Sequence, residues 1–148
     1  MLLSLLDRLA GRDPAGGEGA GTRTIGYREA GEMVAGDLER LLNTKRLSPP
    51  IPENCGELRR SVFVYGLSDF TGKNPADPSV REALRREIEG AIRLWEPRLR
   101  NAAVRVEGGG EGHLRFQVTA LLVMEREDEP VSFVTILDTK RGEYRVSR

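Results

Sequence analysis

The sequence predicts an α+β fold, in which a small antiparallel sheet of three to four strands packs against amphipathic helices in a single domain. Two observations predict it: apolar residues recur at helical spacing as far as residue 99, and they alternate with polar residues after it. Helices followed by closely spaced strands are typical of a helical layer covering one face of an antiparallel sheet. A chain of 148 residues is long enough to bury one sizeable core.

The strongest helical pattern covers residues 77–96. Its polar side carries arginine and glutamate, and its apolar face consists of Val80, Leu84, Ile88, Ala91, Ile92 and Trp95. Two caps fit the start of this helix. Asp77 can cap with Pro78 in the first helical position, or Ser79 can cap with Glu82 three residues later.

The end of this helix carries the first candidate site, the sequence Glu96-Pro97-Arg98. Pro97 disfavours helical backbone at Glu96, so the helix ends at Trp95 or Glu96. The same proline fixes one torsion and holds the neighbouring carboxylate and guanidinium in a narrow range of orientations. Two interpretations remain open: the charges cap and solvate a surface turn, or they form charged hydrogen bonds with a partner.

A second amphipathic helix is predicted from Tyr27 to Asn43, weakened by Gly31 and Gly36 unless close packing uses those glycines. Residues 57–66 fit either a short helix or a strand. Period-two patterns then predict four strands, the first of them short, at 104–106, 114–124, 131–137 and 143–146.

The N-terminal end is predicted to be a separate amphipathic docking helix over residues 1–10, with one side formed by Leu2, Leu5, Leu6 and Leu9. A helix this short needs a surface to dock on, and either its own domain or a partner can supply one. Residues 11–23 are rich in glycine and are predicted to form a flexible linker. The main domain is then expected to span residues 24–148.

Composition narrows the possible partners and compartments. The chain carries 23 basic and 23 acidic residues and has a pI near 6.6, which argues against binding nucleic acid. A single cysteine, Cys55, excludes an intramolecular disulfide and suits a reducing cytosol. No apolar stretch reaches the length of a signal core or a membrane span, so we expect a cytoplasmic protein without membrane insertion.

Catalytic patterns are sparse, and the sequence predicts no enzyme, cofactor or metal site. Cys55 and His113 are the only thiol and imidazole, and nothing in the sequence brings them together; His113 is expected to open a strand beside solvent. Glu96 could pair with Asp69 or Glu89 as in a glycosidase, but such a pair needs a defined separation and an acid with a raised pKa.

An ordered set of motifs resembles the TssE family, the small baseplate wedge subunits of bacterial type VI secretion systems. These subunits are similar to the lysozyme-like wedge protein of contractile phage tails. The motifs that carry the resemblance lie at 5–9, 41–46, 61–70, 96–99, 130–133, 138 and 142–144. The glycine-rich stretch 11–21 departs from the pattern as an insertion would, which leaves the geometry of the N-terminal arm open.

The resemblance implies a structural role in a cytoplasmic bacterial baseplate that holds several copies of the subunit. It implies that Glu96, Pro97 and Arg98 bind the larger wedge subunits, that the subunit helps nucleate the contractile sheath, and that the leucine helix is a tethered docking arm. On this interpretation, replacing Arg98 by Ala would weaken wedge binding and leave the fold intact.

The resemblance also extends to the part of sheath subunits that exchanges strands, so Val131–Val146 is expected to offer an edge to sheath subunits by strand addition. The alternative function is a carboxylate-dependent peptidoglycan hydrolase. The name "lysozyme-like" invites that alternative, although no residues here support it as a chemical claim.

Overall fold

The computed structural model describes residues 26–46, 54–110, 112–124 and 127–148. The predicted docking helix over residues 1–10 and the linker over residues 11–23 lie outside them. In chain order the elements are α1 (Tyr27–Asn43), two 3-10 helices (Gly56–Arg60 and Val62–Val64), α2 (Pro78–Trp95), β1 (Leu99–Gly108), β2 (His113–Leu122), β3 (Glu129–Asp138) and β4 (Glu143–Ser147). Neither α-helix in this part of the chain is long and apolar enough to cross a lipid bilayer.

The four strands form one sheet in the order β1-β2-β3-β4, and each neighbouring pair is antiparallel. Residues along β2 and β3 alternate between buried and accessible, as a sheet with one covered face requires. The buried side chains of the strands join those of both helices in one core, with Phe116 and Phe133 among the largest. The predicted α+β fold, with helices against a small antiparallel sheet, is confirmed.

Helix α1 has the bounds that its pattern predicts. Its buried face includes Ala30, Val34, Leu38, Leu41 and Leu42. The two glycines differ in their surroundings: a Cβ at Gly31 would lie 2.8 Å from Nη1 of Arg148, whereas a Cβ at Gly36 would meet only ordinary contacts. Only the flexible end of the Arg148 side chain approaches Gly31, so neither glycine is required by packing against a fixed part of the fold, and both weaken the helix relative to alanine.

Helix α2 uses the first of its two candidate caps. The backbone N–H of Ser79 donates to Oδ1 of Asp77 at 2.8 Å, and Pro78 occupies the first turn. Ser79 lies inside the helix, so it is not the cap. The last helical residue is Trp95, and Glu96 has left helical backbone geometry, with φ −121° and ψ 76°.

One strand starts earlier than predicted. Strand β1 begins at Leu99, five residues before the predicted start, because an irregularity between Arg100 and Ala103 interrupts the period-two pattern that marks a strand. Asn101 adopts a positive φ of 53° there. Of the two alternatives for residues 57–66, the structure shows the short helix, in the form of two 3-10 helices at Gly56–Arg60 and Val62–Val64.

Gly66 joins this 3-10 segment to the rest of the fold. Its φ is +98°, and a Cβ at this position would lie 2.2 Å from the backbone oxygen of Thr44. The close approach lets the N–H of Leu67 donate to that oxygen at 2.9 Å, while the N–H of Arg46 donates to the carbonyl of Leu67 at 2.7 Å. Only glycine combines this backbone conformation with this proximity.

Candidate functional site

The Glu96-Pro97-Arg98 turn connects α2 to β1, and its three residues differ sharply in exposure. Pro97 is exposed, whereas Glu96 and Arg98 are only 5% and 7% exposed. The turn lies between Ile92 and Leu99, both core residues, so the chain must stay against the core on either side of it. The charged side chains of the isolated subunit therefore point into the fold, and the proline faces outward.

Arg98 binds two carboxylates. Its Nε and Nη2 donate to Oε1 and Oε2 of Glu96 at 2.6 and 2.5 Å, which is a bidentate contact. Its Nη2 also donates to Oδ2 of Asp37, on α1, at 2.6 Å. We call Asp37, Glu96 and Arg98 the buried charge cluster. Through it, the turn after α2 is attached directly to α1.

The cluster holds two carboxylates and one cation, and Arg40 beside it supplies the second positive charge. Burial by itself would lower the pKa of Arg98, but the hydrogen bonds and charge of Glu96, followed by those of Asp37, outweigh burial and raise it. Arg98 therefore stays cationic. The second carboxylate is shared with Arg40, whose half-exposed guanidinium donates to Oδ1 of Asp37 at 2.5 Å.

One atom of the cluster keeps unused hydrogen-bonding capacity. Nη1 of Arg98 is buried and has no hydrogen-bond acceptor among the described residues. A buried donor without an acceptor is unfavourable, so this nitrogen is the one unsatisfied polar atom of the cluster among the described residues.

Tyr65 borders the same site. Its ring meets Trp95, the last residue of α2, edge to face with centroids 5.3 Å apart. Burial raises the pKa of Tyr65, and the negative charges of Asp37 and Glu96 raise it further. The tyrosine therefore remains protonated beside the two carboxylates.

Sequence reasoning identified the turn but missed Asp37 and Tyr65 as its neighbours. Asp37 lies on the side of α1 that the sequence assigns to solvent, and 61 positions separate it from Arg98. No spacing rule connects residues that far apart. The one signal in the sequence was that Asp37 lies on a predicted helix and Arg98 follows another, so that a carboxylate and a guanidinium could meet if the two helices pack together.

The outer edge of β4 is covered by side chains of α1. Oδ1 of Asn43 accepts a hydrogen bond from the N–H of Tyr144 at 2.8 Å, and Nδ2 of Asn43 donates to the carbonyl of Tyr144 at 2.8 Å. A neighbouring strand would make the same pair of bonds. Glu39 accepts the N–H of Val146 at 2.8 Å. These contacts occupy backbone groups that a strand added to β4 would need.

We expect Asn43→Ala to destabilise the fold by about 1 to 3 kcal/mol, because it leaves the N–H and C=O of Tyr144 without their partner. Hydrogen exchange at the Tyr144 amide should speed up more than at Val146, which keeps Glu39. Asn74→Ala is the matched control, since Asn74 only supports a local exposed turn. Equal effects of the two substitutions on unfolding by urea would contradict this account of the edge.

Strand β3 extends beyond its partner at the same side of the sheet. Its pairing with β4 stops at Val134, opposite Ser147, and leaves 129–133 without a β4 partner. Backbone groups alternate along a strand, so those of Ser132 face the same way as those of Val134. Pro130 has no N–H, and its carbonyl accepts from the Tyr27 hydroxyl. The uncovered stretch is thus short and centred on Ser132.

Each of the three nominated carboxylates is engaged by hydrogen-bond donors of its own fold. Glu96 is buried against Arg98, and Glu89 accepts hydrogen bonds from Arg85 at 2.9 Å and Arg93 at 3.3 Å. Hydrogen bonds from Thr71 and then Lys45 lower the pKa of Asp69 to about 2, so it is ionised at neutral pH. A general acid needs the opposite shift.

A small pocket of about 30 Å³ lies between the end of α1 and the sheet, and Asp69 is the one carboxylate that lines it. The candidate Cys55 and His113 lie in separate elements: the first precedes a 3-10 helix, and the second opens β2 as predicted, at a solvent-exposed position. Among the described residues, no group of three or more His, Cys, Asp or Glu side chains could hold a metal ion.

Comparison with known families assigns the chain. The family described as Baseplate wedge protein gp25 matches residues 28–127, about two thirds of the chain. The matched region runs from α1 through β2 and contains the whole buried charge cluster. No curated protein matches the chain. The resemblance seen in the sequence is confirmed at the level of this family, and the chain therefore belongs to the baseplate wedge protein gp25 family, whose role in the baseplate is structural.

Proposed function

We propose that this baseplate subunit is the TssE component of a bacterial type VI secretion system. It works in the cytoplasm, in several copies per assembly, where it binds the larger wedge subunits and helps nucleate the contractile sheath. Family membership and the ordered motifs support the proposal. The observation that carries it is the turn at Pro97, exposed on a buried charge cluster that attaches it to both helices.

In the proposed contact with the wedge subunits, some residues of the turn touch the partner and others hold the turn in position. Pro97 and Leu94, one helical turn earlier and 44% exposed, form the contact surface. Glu96 and Arg98 hold that surface in place, so little conformational freedom is lost when a partner binds. Nη1 of Arg98 supplies the remaining charged donor when a partner carbonyl or carboxylate reaches it. All three motif residues thus contribute to binding, but in different ways.

Two further contacts complete the proposal. The segment bearing Leu2, Leu5, Leu6 and Leu9 is a tethered arm that reaches a partner. Sheath subunits add a strand within Val131–Val146, and the geometry favours the uncovered stretch around Ser132 over β4, whose edge is occupied by α1. Addition along β4 itself would require Asn43 and Glu39 to release their backbone partners.

Leu94→Glu tests the contact surface. Its exposed position should tolerate the charge, and we expect binding to the larger wedge subunits of the same baseplate to weaken at least about tenfold, or about 1.4 kcal/mol. Titration of the purified subunit against those wedge subunits measures the change. Ile136→Glu, at a similarly exposed apolar residue on β3, is the control and should bind normally. Normal binding by the Leu94 variant would remove this surface from the interface.

A further inference from the structure

The 3-10 segment exposes an apolar surface that the wedge proposal does not use. Leu58, Val62 and Phe63 are 39%, 85% and 45% exposed, and they account for three of the five exposed large apolar residues in the described part of the chain. They fall within six consecutive positions, in two short helices that follow one another directly. We call these three residues the 58–63 patch. Clustered exposure of this kind marks a surface that another apolar surface covers.

The chain itself carries a suitable occupant. Segment 1–10 presents four leucines at helical spacing and contains one acidic and one basic residue, so it brings an apolar face without net side-chain charge. A peptide of this kind binds in helical form by laying its apolar side on an exposed apolar surface. The three patch residues and the four leucines are chemically matched.

Residues 11–25 are long enough to let segment 1–10 reach the 58–63 patch. Helix α1 begins at Tyr27, and its 17 residues span about 25 Å. The hydrogen bond between Thr44 and Leu67 places the end of α1 beside the chain that follows the patch. Residues 11–25 form a connection whose average span is about 20 Å if flexible and at most about 50 Å if extended. The segment can therefore travel from the start of α1 to the patch.

We infer that, in the unassembled subunit, the leucine face of residues 1–10 packs on the 58–63 patch of its own chain. A tether of only 15 residues keeps the segment at an effective concentration in the millimolar range, which favours this occupant over a second copy at ordinary protein concentrations. The segment shields the patch before assembly and becomes available to a partner when it leaves. This inference concerns the free subunit and stands or falls independently of wedge binding.

The single cysteine provides the test. Cys55 is partly accessible and lies three residues before Leu58, so a nitroxide attached there reports on anything that covers the patch. In the full chain, we expect the methyl NMR signals of Leu2, Leu5, Leu6 and Leu9 to be lost in the oxidised state and to return when the nitroxide is reduced. Val62→Asp should restore them in the oxidised state, whereas Ile136→Asp should not.

A mixed sample separates the possible occupants. Spin-labelled protein without isotopes is combined with isotope-labelled Cys55→Ser protein, so any loss of leucine signals must arise between two copies. The inference expects unchanged signals in this mixture. Loss of signal in the mixture would assign the patch to a second copy. In the sample whose chains carry both the nitroxide and the isotopes, leucine signals unaffected by the label would show that the segment does not cover the patch. Either result overturns the inference.

Discussion

Arg98→Ala is expected to destabilise the subunit by about 3 to 5 kcal/mol. The substitution leaves the buried carboxylate of Glu96 without a cation and the partly buried Asp37 with Arg40 alone. An uncompensated buried charge is much more costly than a lost surface ion pair. Urea unfolding measures the effect. The sequence alone predicts an intact fold for this variant, and the burial of Arg98 changes that expectation.

Arg100→Ala is the matched control. Arg100 lies two residues further on and pairs with Asp128 at 3.0 Å, but its side chain is largely exposed. Its removal should cost less than about 1 kcal/mol. Combining Arg98→Ala with Glu96→Gln should recover part of the lost stability, because Glu96 is the buried carboxylate that loses its cation, whereas Asp37 keeps Arg40. Similar losses for the two arginine variants, with no recovery in the double variant, would show that the buried charge cluster is not a coupled unit.

Gly66→Ala is expected to cost at least about 3 kcal/mol. A left-handed backbone is unfavourable for alanine by about 1 to 2 kcal/mol, and the added Cβ would also collide with the backbone oxygen of Thr44. The collision breaks the contact between the end of α1 and the chain leading to α2. Thermal unfolding should show a large fall in the midpoint temperature.

Gly72→Ala separates these two causes. Gly72 has a φ of +80°, but nothing lies within 4 Å of a Cβ at that position. Alanine there should cost only the backbone term of about 1 to 2 kcal/mol. If the two glycine variants unfold at the same temperature, the predicted collision between a Cβ at position 66 and the Thr44 oxygen adds no cost, and the account of Gly66 is wrong.

Much of the fold could be predicted because local patterns specify it. The bounds of α1 follow from apolar spacing alone, and α2 is marked by Asp77 at its start and Pro97 after its end. Strands β2, β3 and β4 follow from alternation, with small differences at their ends. These signals are local, since each depends on residues within one element.

The parts that could not be predicted depend on contacts between elements. Nothing local indicates that Arg98 turns inward to meet Asp37, because that contact exists only once α1 and α2 are packed together. The same holds for the cover that Asn43 provides on β4, across 101 positions of sequence. The start of β1 was missed for a different reason, since its irregularity at Asn101 erases the alternation.

These findings give the Glu-Pro-Arg motif a specific physical form. An exposed proline lies on an internal ion pair, and one guanidinium nitrogen of Arg98 is buried without an acceptor among the described residues. The family match establishes a structural role in a baseplate.

Site-specific photo-crosslinking tests that contact most directly. A photoreactive amino acid replaces Pro97 in one variant and the exposed Arg105 of β1 in another, and each is irradiated with the larger wedge subunits. The account predicts a covalent product with a wedge subunit from position 97 and little or none from position 105. The account is contradicted if the position 97 variant is folded but gives no product, while the position 105 variant crosslinks to a wedge subunit.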